Sequence, residues 1–114
     1  MKTIIAGSRA FDDYDYLCVV CDMIDISEIV SGTARGADSL GERYAAQNNI
    51  KLTQFPADWN KHGKKAGYLR NKEMAEYGDC LVAFWDGESK GTKLMIDLAR
   101  KNNLDVRVFL FNIK

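Results

Sequence analysis

Short β-branched runs alternate along this chain with segments whose apolar residues return every three or four positions. "KTIIA" (Lys2–Ala6) reads as a first strand. Leu17, Val20, Cys21 and Ile24 follow at helical spacing. "EIVS" (Glu28–Ser31) is a second strand, and Ala37, Leu40, Gly41, Tyr44 and Ala45 then fall on one helical face. "KLTQF" (Lys51–Phe55) is a third strand. "PADWNKHGKKAG" (Pro56–Gly67) carries no period and reads as an irregular connection into a third helix, roughly Tyr68–Tyr77. "CLVAFW" (Cys80–Trp85) is the most apolar run, which predicts a central strand. Leu94, Met95, Leu98 and Ala99 mark a fourth helix, and "VRVFLF" (Val106–Phe111) a fifth strand.

Strands and helices alternating in this way predict an α/β protein with a parallel sheet covered on both faces. Right-handed crossovers make it one Rossmann-like, doubly wound sheet of about five strands, in the order 3-2-1-4-5. A single domain over residues 1–114 is expected, with no repeat or linker. Pro56, the one proline, stands just past the third strand, where it leaves the ladder intact.

Composition adds mainly exclusions. The chain is 46% hydrophobic and 28% charged, as in an ordinary globular protein. Sixteen basic residues balance sixteen acidic ones, so no global field gathers nucleic acid, which is not an expected partner. The absence of a run of membrane-spanning length and of a signal-peptide layout predicts a cytoplasmic protein without a membrane partner. The three cysteines read as reduced thiols.

In open α/β sheets ligands bind beyond the carboxyl ends of the strands, so the chemistry is sought in those loops. After strand one, "GSRAFDD" offers Gly7 for close backbone approach, the Ser8 hydroxyl and the Arg9 guanidinium, with Asp12 or Asp13 available to cap the next helix. A plain turn with a surface arginine explains the same residues equally well. After strand two, "SGTARGAD" brings Ser31, Gly32, Thr33, Arg35, Gly36 and Asp38 to a helix N-terminus, more hydroxyls and charge than a cap requires. Gly67, Arg70, Asn71 and Met74 share one face of the third helix. Met74 directs that face to the sheet, so Arg70 needs either an acidic partner or a ligand. After strand four, "DGESKGTK" contributes Asp86, Gly87, Ser89, Gly91 and Thr92. Its spacing is not that of a Walker A loop, and the first turn lacks G-x-G-x-x-G, so neither magnesium-dependent NTP hydrolysis nor dinucleotide redox chemistry is indicated. Together the four segments read as the walls of a phosphate pocket.

Other candidates carry less. Cys18-x-x-Cys21 lies within an amphipathic helix, and only Cys80 and His62, from distant elements, remain to complete a zinc site; no metal or cofactor is expected. His62 is the one histidine, and no residue is assigned as catalytic. Trp59 is either a pocket wall for a base or a core anchor, burial being the commoner fate of an indole.

"AGSR", "VSGTARGAD" and "FPADWNKHGKKAGYLRNKEMAEYGDCLVAFWDGESKGT", with the closing helix and strand, resemble the YpsA/YspA-related branch of the SLOG superfamily. The resemblance runs in order over nearly the whole chain. It implies a Rossmann-like fold, an association with nucleotides and nucleotide-derived ligands, and frequent occurrence in bacteria, phages and prophages. The superfamily's phosphoribohydrolases carry a P-G-G-x-G-T loop with a catalytic glutamate three residues after the threonine; here that position is Met95, which cannot act as acid or base. The resemblance therefore implies a binder of an ADP-ribose-like or cyclic nucleotide, a sensor or sponge in phage–bacterial conflict, rather than an enzyme. The alternative is a phosphoribohydrolase-like hydrolase in which Glu88 or Asp38 replaces the glutamate. Related proteins pair through helices beside the ligand loops, and strand five is apolar at Val106, Val108, Phe109, Leu110 and Phe111. A homodimer or larger homo-oligomer is expected.

Overall fold

The structure, a computed structural model, describes residues 1–112; the last two positions of the expected domain lie outside the described residues. Five strands and five α-helices follow one another as β1 (Lys2–Gly7), α1 (Tyr14–Asp22), β2 (Glu28–Ser31), α2 (Ala37–Gln47), β3 (Lys51–Gln54), α3 (Trp59–His62), α4 (Ala66–Tyr77), β4 (Cys80–Trp85), α5 (Lys90–Lys101) and β5 (Asp105–Leu110). The strands form one parallel sheet in the order β3-β2-β1-β4-β5. The architecture is α/β and Rossmann-like, with the expected strand order.

Alternation along the strands divides the core in two. Ile5, Ile29, Val82 and Phe84 point to the face covered by α1 and α2, against Leu17, Val20, Cys21, Tyr44 and Ala45. Ile4, Ala6, Val30, Leu81 and Ala83 point the other way, against Met74, Ala75, Met95, Ile96, Leu98 and Ala99 of α4 and α5. Because both faces are buried, the inner strands need continuous apolar runs rather than alternating ones. Burying each such side chain contributes about 1.5–3 kcal/mol, which makes a one-residue slip of register prohibitive.

β1 is the middle strand; β4, expected to be central, lies one place away, between β1 and β5. Its apolar run still fits, since Cys80–Phe84 are all buried. The chain builds outward from β1 through β2 to β3, then returns across the sheet to β4. The loops leaving β1 and β4 therefore diverge onto opposite faces and open a crevice at the carboxyl edge.

The connection after β3 corrects the expectation of an irregular segment. Asp58 caps α3 by accepting the Lys61 N–H at 3.0 Å, a 3₁₀ turn spans Gly63–Lys65, and α4 begins at Ala66, ahead of the expected Tyr68. α3 buries no residue, so it leaves no apolar period to read; an N-cap sustains its single turn. No described helix is long and apolar enough to cross a membrane.

Candidate functional site

The first wall is the β1–α1 loop. A Cβ at Gly7 would lie 2.3 Å from the Phe84 carbonyl oxygen, so only glycine lets the two strands leave the sheet side by side. The Ser8 N–H donates to that carbonyl at 3.0 Å, and the buried Ser8 hydroxyl donates to Asp86 Oδ2 at 3.2 Å. Phe11 anchors the loop from beneath, stacked on Phe84 with ring centroids 4.5 Å apart. Arg9 is left exposed at the mouth. Asp13 caps α1, accepting the Tyr16 N–H at 3.1 Å.

Asp86 organises the β4–α5 loop. Its Oδ1 accepts the N–H groups of Ser89 and Glu88 at 2.8 and 2.9 Å. Those two amides, the first above all, hold the carboxyl below the usual carboxylate range, so Asp86 is ionised at neutral pH. Trp85 Nε1 donates to the Ser89 carbonyl at 3.1 Å, and Thr92 Oγ1 donates to Ser89 Oγ at 3.2 Å. The amides of Glu88 and Ser89 are thus spent within the loop.

The β2–α2 loop is the densest part. The Ser31 hydroxyl is fully buried, donates to Glu42 at 2.7 Å and accepts the Thr33 N–H at 3.0 Å. Thr33 itself holds φ at +64°, an uncommon conformation for a β-branched residue and one that places local strain in this turn. A Cβ at Gly36 would lie 2.3 Å from the Ser8 carbonyl oxygen, which packs this loop onto the first. Asp38 is buried in the first turn of α2 and reaches back to accept the Ala34 N–H at 3.2 Å. Burial pushes its pKa up to about 6, although the Ala34 amide and the Arg70 charge pull the other way.

Arg70 closes the arrangement from α4. Its Nε donates to Asn71 Oδ1 at 2.8 Å and its Nη1 donates to the Gly32 carbonyl. A Cβ at Gly32 would lie 2.8 Å from both Arg70 Nη1 and Asp38 Oδ2, so the glycine leaves room for both heads. Burial lowers the Arg70 pKa, Asp38 raises it, and Arg9 lowers it again. Among the described residues no carboxylate lies within ion-pair distance of Arg70, Arg9 or Arg35. The half-buried Arg70 is held by carbonyl oxygens alone, and its charge is only partly offset by Asp38.

Two cavities open between these walls. A cavity of about 440 Å³ is lined by Gly7, Ser8, Arg9, Asp38, Arg70, Asn71, Asp86, Ser89, Gly91 and Thr92, with Ala6, Ala10, Ala34, Met74 and Met95 supplying apolar surface. A second, of about 270 Å³, is lined by Arg9, Gly32, Thr33, Ala34, Arg35, Pro56, Ala57, Trp59 and Arg70. Thirteen of the sixteen residues expected at the site therefore face one cavity or the other. Ser31, Gly36 and Gly87 face neither: Ser31 is spent on Glu42 and Thr33, Gly36 on packing, and Gly87 stands in the open. Glu88 is exposed and lines neither. Trp59 is no core anchor; it is 55% exposed and forms a wall of the smaller cavity. Pro56, Ala57 and the alanines are lining that no sequence signal announces. Among the described residues no three His, Cys, Asp or Glu side chains gather to hold a metal ion.

A family model described as the YspA, cpYpsA-related SLOG family matches residues 1–62, from β1 through α3. The Gene 61 protein of Mycobacterium phage D29 is 37% identical over 116 aligned positions, covering 92% of this chain and 93% of that protein. No solved structure matches significantly. The strand order, the loops gathered at the β1–β4 crevice and these two matches agree: the chain belongs to the YspA, cpYpsA-related SLOG family.

Proposed function

We propose that the crevice binds a nucleotide or a nucleotide-derived ligand through its phosphates. The observation that carries this reading is the convergence of Arg9, Arg35 and Arg70 on one small cavity with no carboxylate, among the described residues, in ion-pair contact. Holding three guanidinium groups together costs mutual repulsion, which an anionic ligand relieves. Each charge-assisted hydrogen bond to phosphate contributes about 1.5–3 kcal/mol. Membership of a SLOG family points to the same ligand class.

Binding without turnover is the reading we favour. Met95 is buried and lines the larger cavity where the related phosphoribohydrolases place a carboxylate. We extend this reading to a role as sensor or sponge for a signalling nucleotide in phage–bacterial conflict; its support is that the 37% identical relative is a phage protein. One observation favours a second reading: Asp38 faces the cavity with a pKa of about 6, suited to a general base. Native mass spectrometry of the purified protein, then calorimetry with nucleotides, tests binding. Arg35→Ala and Arg70→Ala are each expected to weaken affinity about tenfold or more; unchanged affinity in both removes the arginines from the site. Adenine accumulating from AMP, and abolished by Asp38→Asn, would establish the hydrolase instead.

A further inference from the structure

Asp38 is only 5% exposed, yet it lines the larger cavity together with Arg9 and Arg70. The Ala34 N–H donates to its Oδ2 at 3.2 Å, long for a bond to a buried carboxylate. Oδ2 and Arg70 Nη1 both lie 2.8 Å from the point a Gly32 Cβ would occupy, so the two heads are near neighbours. They form no ion pair; the guanidinium turns its Nε and Nη1 to the carbonyl oxygens of Asn71 and Gly32 instead. Ala6, Met74 and Met95 add apolar surface to the same cavity, and Asp86 adds a second carboxylate. A phosphate held there by Arg70 and Arg9 shares the space with Asp38. Two oxyanions side by side and out of water repel each other. A proton between them turns the repulsion into a short O–H···O⁻ hydrogen bond, one of the stronger kinds.

On the reading above that the crevice takes a nucleotide by its phosphates, we propose that Asp38 binds the ligand as an acid, keeping a proton on its carboxyl and donating it to a phosphate oxygen held by Arg70. Binding then takes up a proton wherever free Asp38 is ionised. In the free protein burial pushes its pKa up to about 6, with Glu42 adding to the rise and the Ala34 amide, the Arg70 charge and the Gly32 amide opposing it. A neighbouring anion carries it higher. Affinity therefore falls as pH rises from 6 to 8. Asp86 stays ionised over that range, because the Ser89 and Glu88 amides lower its pKa. His62, the one histidine, is exposed and lines neither cavity. A general base has to start unprotonated, so this role and the hydrolase reading exclude each other.

Calorimetry at pH 6, 7 and 8 tests this with cyclic AMP and ADP-ribose, whose phosphates keep a constant charge over the range. The variants are Asp38→Asn, which keeps an acceptor for Ala34 and supplies an amide donor without a charge, and His62→Gln. For the parent, affinity is expected to fall about tenfold from pH 6 to pH 8. Titrations at pH 7 in PIPES and in imidazole, buffers of different ionisation enthalpy, should show uptake of most of one proton per ligand. Asp38→Asn should bind with a flat pH profile and, at pH 8, more tightly than the parent. His62→Gln should keep the parent's profile. A parent that binds with no proton uptake and a flat profile overturns the inference and leaves the nucleotide reading standing. So does an Asp38→Asn variant that keeps the parent's pH dependence or binds more weakly than the parent at pH 8. Binding of neither probe at any pH overturns both.

Discussion

Asp38 is expected to weaken the fold at neutral pH, and replacing it with asparagine should show by how much. An unfolded aspartate gives up its proton near 3.8, whereas burial in the folded chain delays this to about 6. Between those values the unfolded state holds fewer protons than the folded one, so stability falls as pH rises. The loss is complete above the folded value. A difference of roughly two units is worth about 3 kcal/mol at pH 8. At pH 4.5 the unfolded carboxyl is only partly ionised and the same linkage gives about 1 kcal/mol; below the unfolded pKa it vanishes. An asparagine side chain in its place keeps an oxygen to accept the Ala34 N–H and carries no charge to desolvate. Asp38→Asn should therefore raise stability by about 3 kcal/mol at pH 8, on the order of 10 °C in Tm, with the gain shrinking towards acid. Urea denaturation at pH 8, 6 and 4.5 measures it. A variant less stable than the parent at pH 8 would refute the reasoning, because the Arg70 charge would then outweigh the burial. A buried carboxylate that costs stability in a cavity points to a role there rather than in the fold.

Glu28 works in the opposite sense at the other end of the sheet. It is buried, accepts the Tyr77 hydroxyl and, at 2.7 Å, the Thr53 hydroxyl, with Lys51 3.5 Å away. The Tyr77 bond first, then Thr53 and Lys51, lower its pKa, so its contribution is full above the unfolded value of 4.5 and is lost as pH falls through the folded one. Glu28→Ala should cost about 2–3 kcal/mol by leaving both hydroxyls unpaired, read as a lower urea midpoint at pH 7. Gly41→Ala should also destabilise, by about 1–2 kcal/mol: its Cβ would meet Ile5 Cβ at 2.7 Å, a clash near the backbone that exceeds the gain in helix propensity. An unchanged midpoint would show that α2 can shift outward. Leu110, 65% exposed at the end of edge strand β5, leads us to expect self-association; a monomeric mass by light scattering at micromolar concentration would exclude it.

The strands were legible because Ile4–Ile5, Ile29–Val30 and Leu81–Phe84 must be apolar on both faces, a demand that few other structures make. The loops were legible as a group because strand order determines which of them share an edge. Individual roles were harder to read. Ser31 and Thr33 are neighbouring hydroxyls in one motif, yet Ser31 turns inward to Glu42 while Thr33 lines a cavity. Nothing local separates them; the partner that decides lies a helix away. Arg70 was evident as a cation lacking a local partner, but its acceptor is the carbonyl of Gly32, 38 residues back, and carbonyls leave no trace in sequence. Trp59 was ambiguous because α3 buries nothing, so no periodicity assigned the indole a side.

The site draws Ser8, Asp38 and Trp59 from the segment before His62, and Arg70 and Asp86 from the segment after it. The Ser8–Asp86 hydrogen bond, at the mouth of the β1–β4 seam, and the bond from Arg70 to the Gly32 carbonyl, just past β2, are stitches between these segments. A molecule seated there works as a rivet. It spans both parts of the chain, so its binding energy opposes their separation as a whole rather than stiffening one loop. At a hundredfold excess over Kd the added resistance to unfolding is about 2.7 kcal/mol. Amides along β1 and β4, far from any atom of the ligand, should then exchange with solvent roughly a hundredfold more slowly where exchange requires global opening. Occupancy of the crevice would be readable from the middle of the sheet.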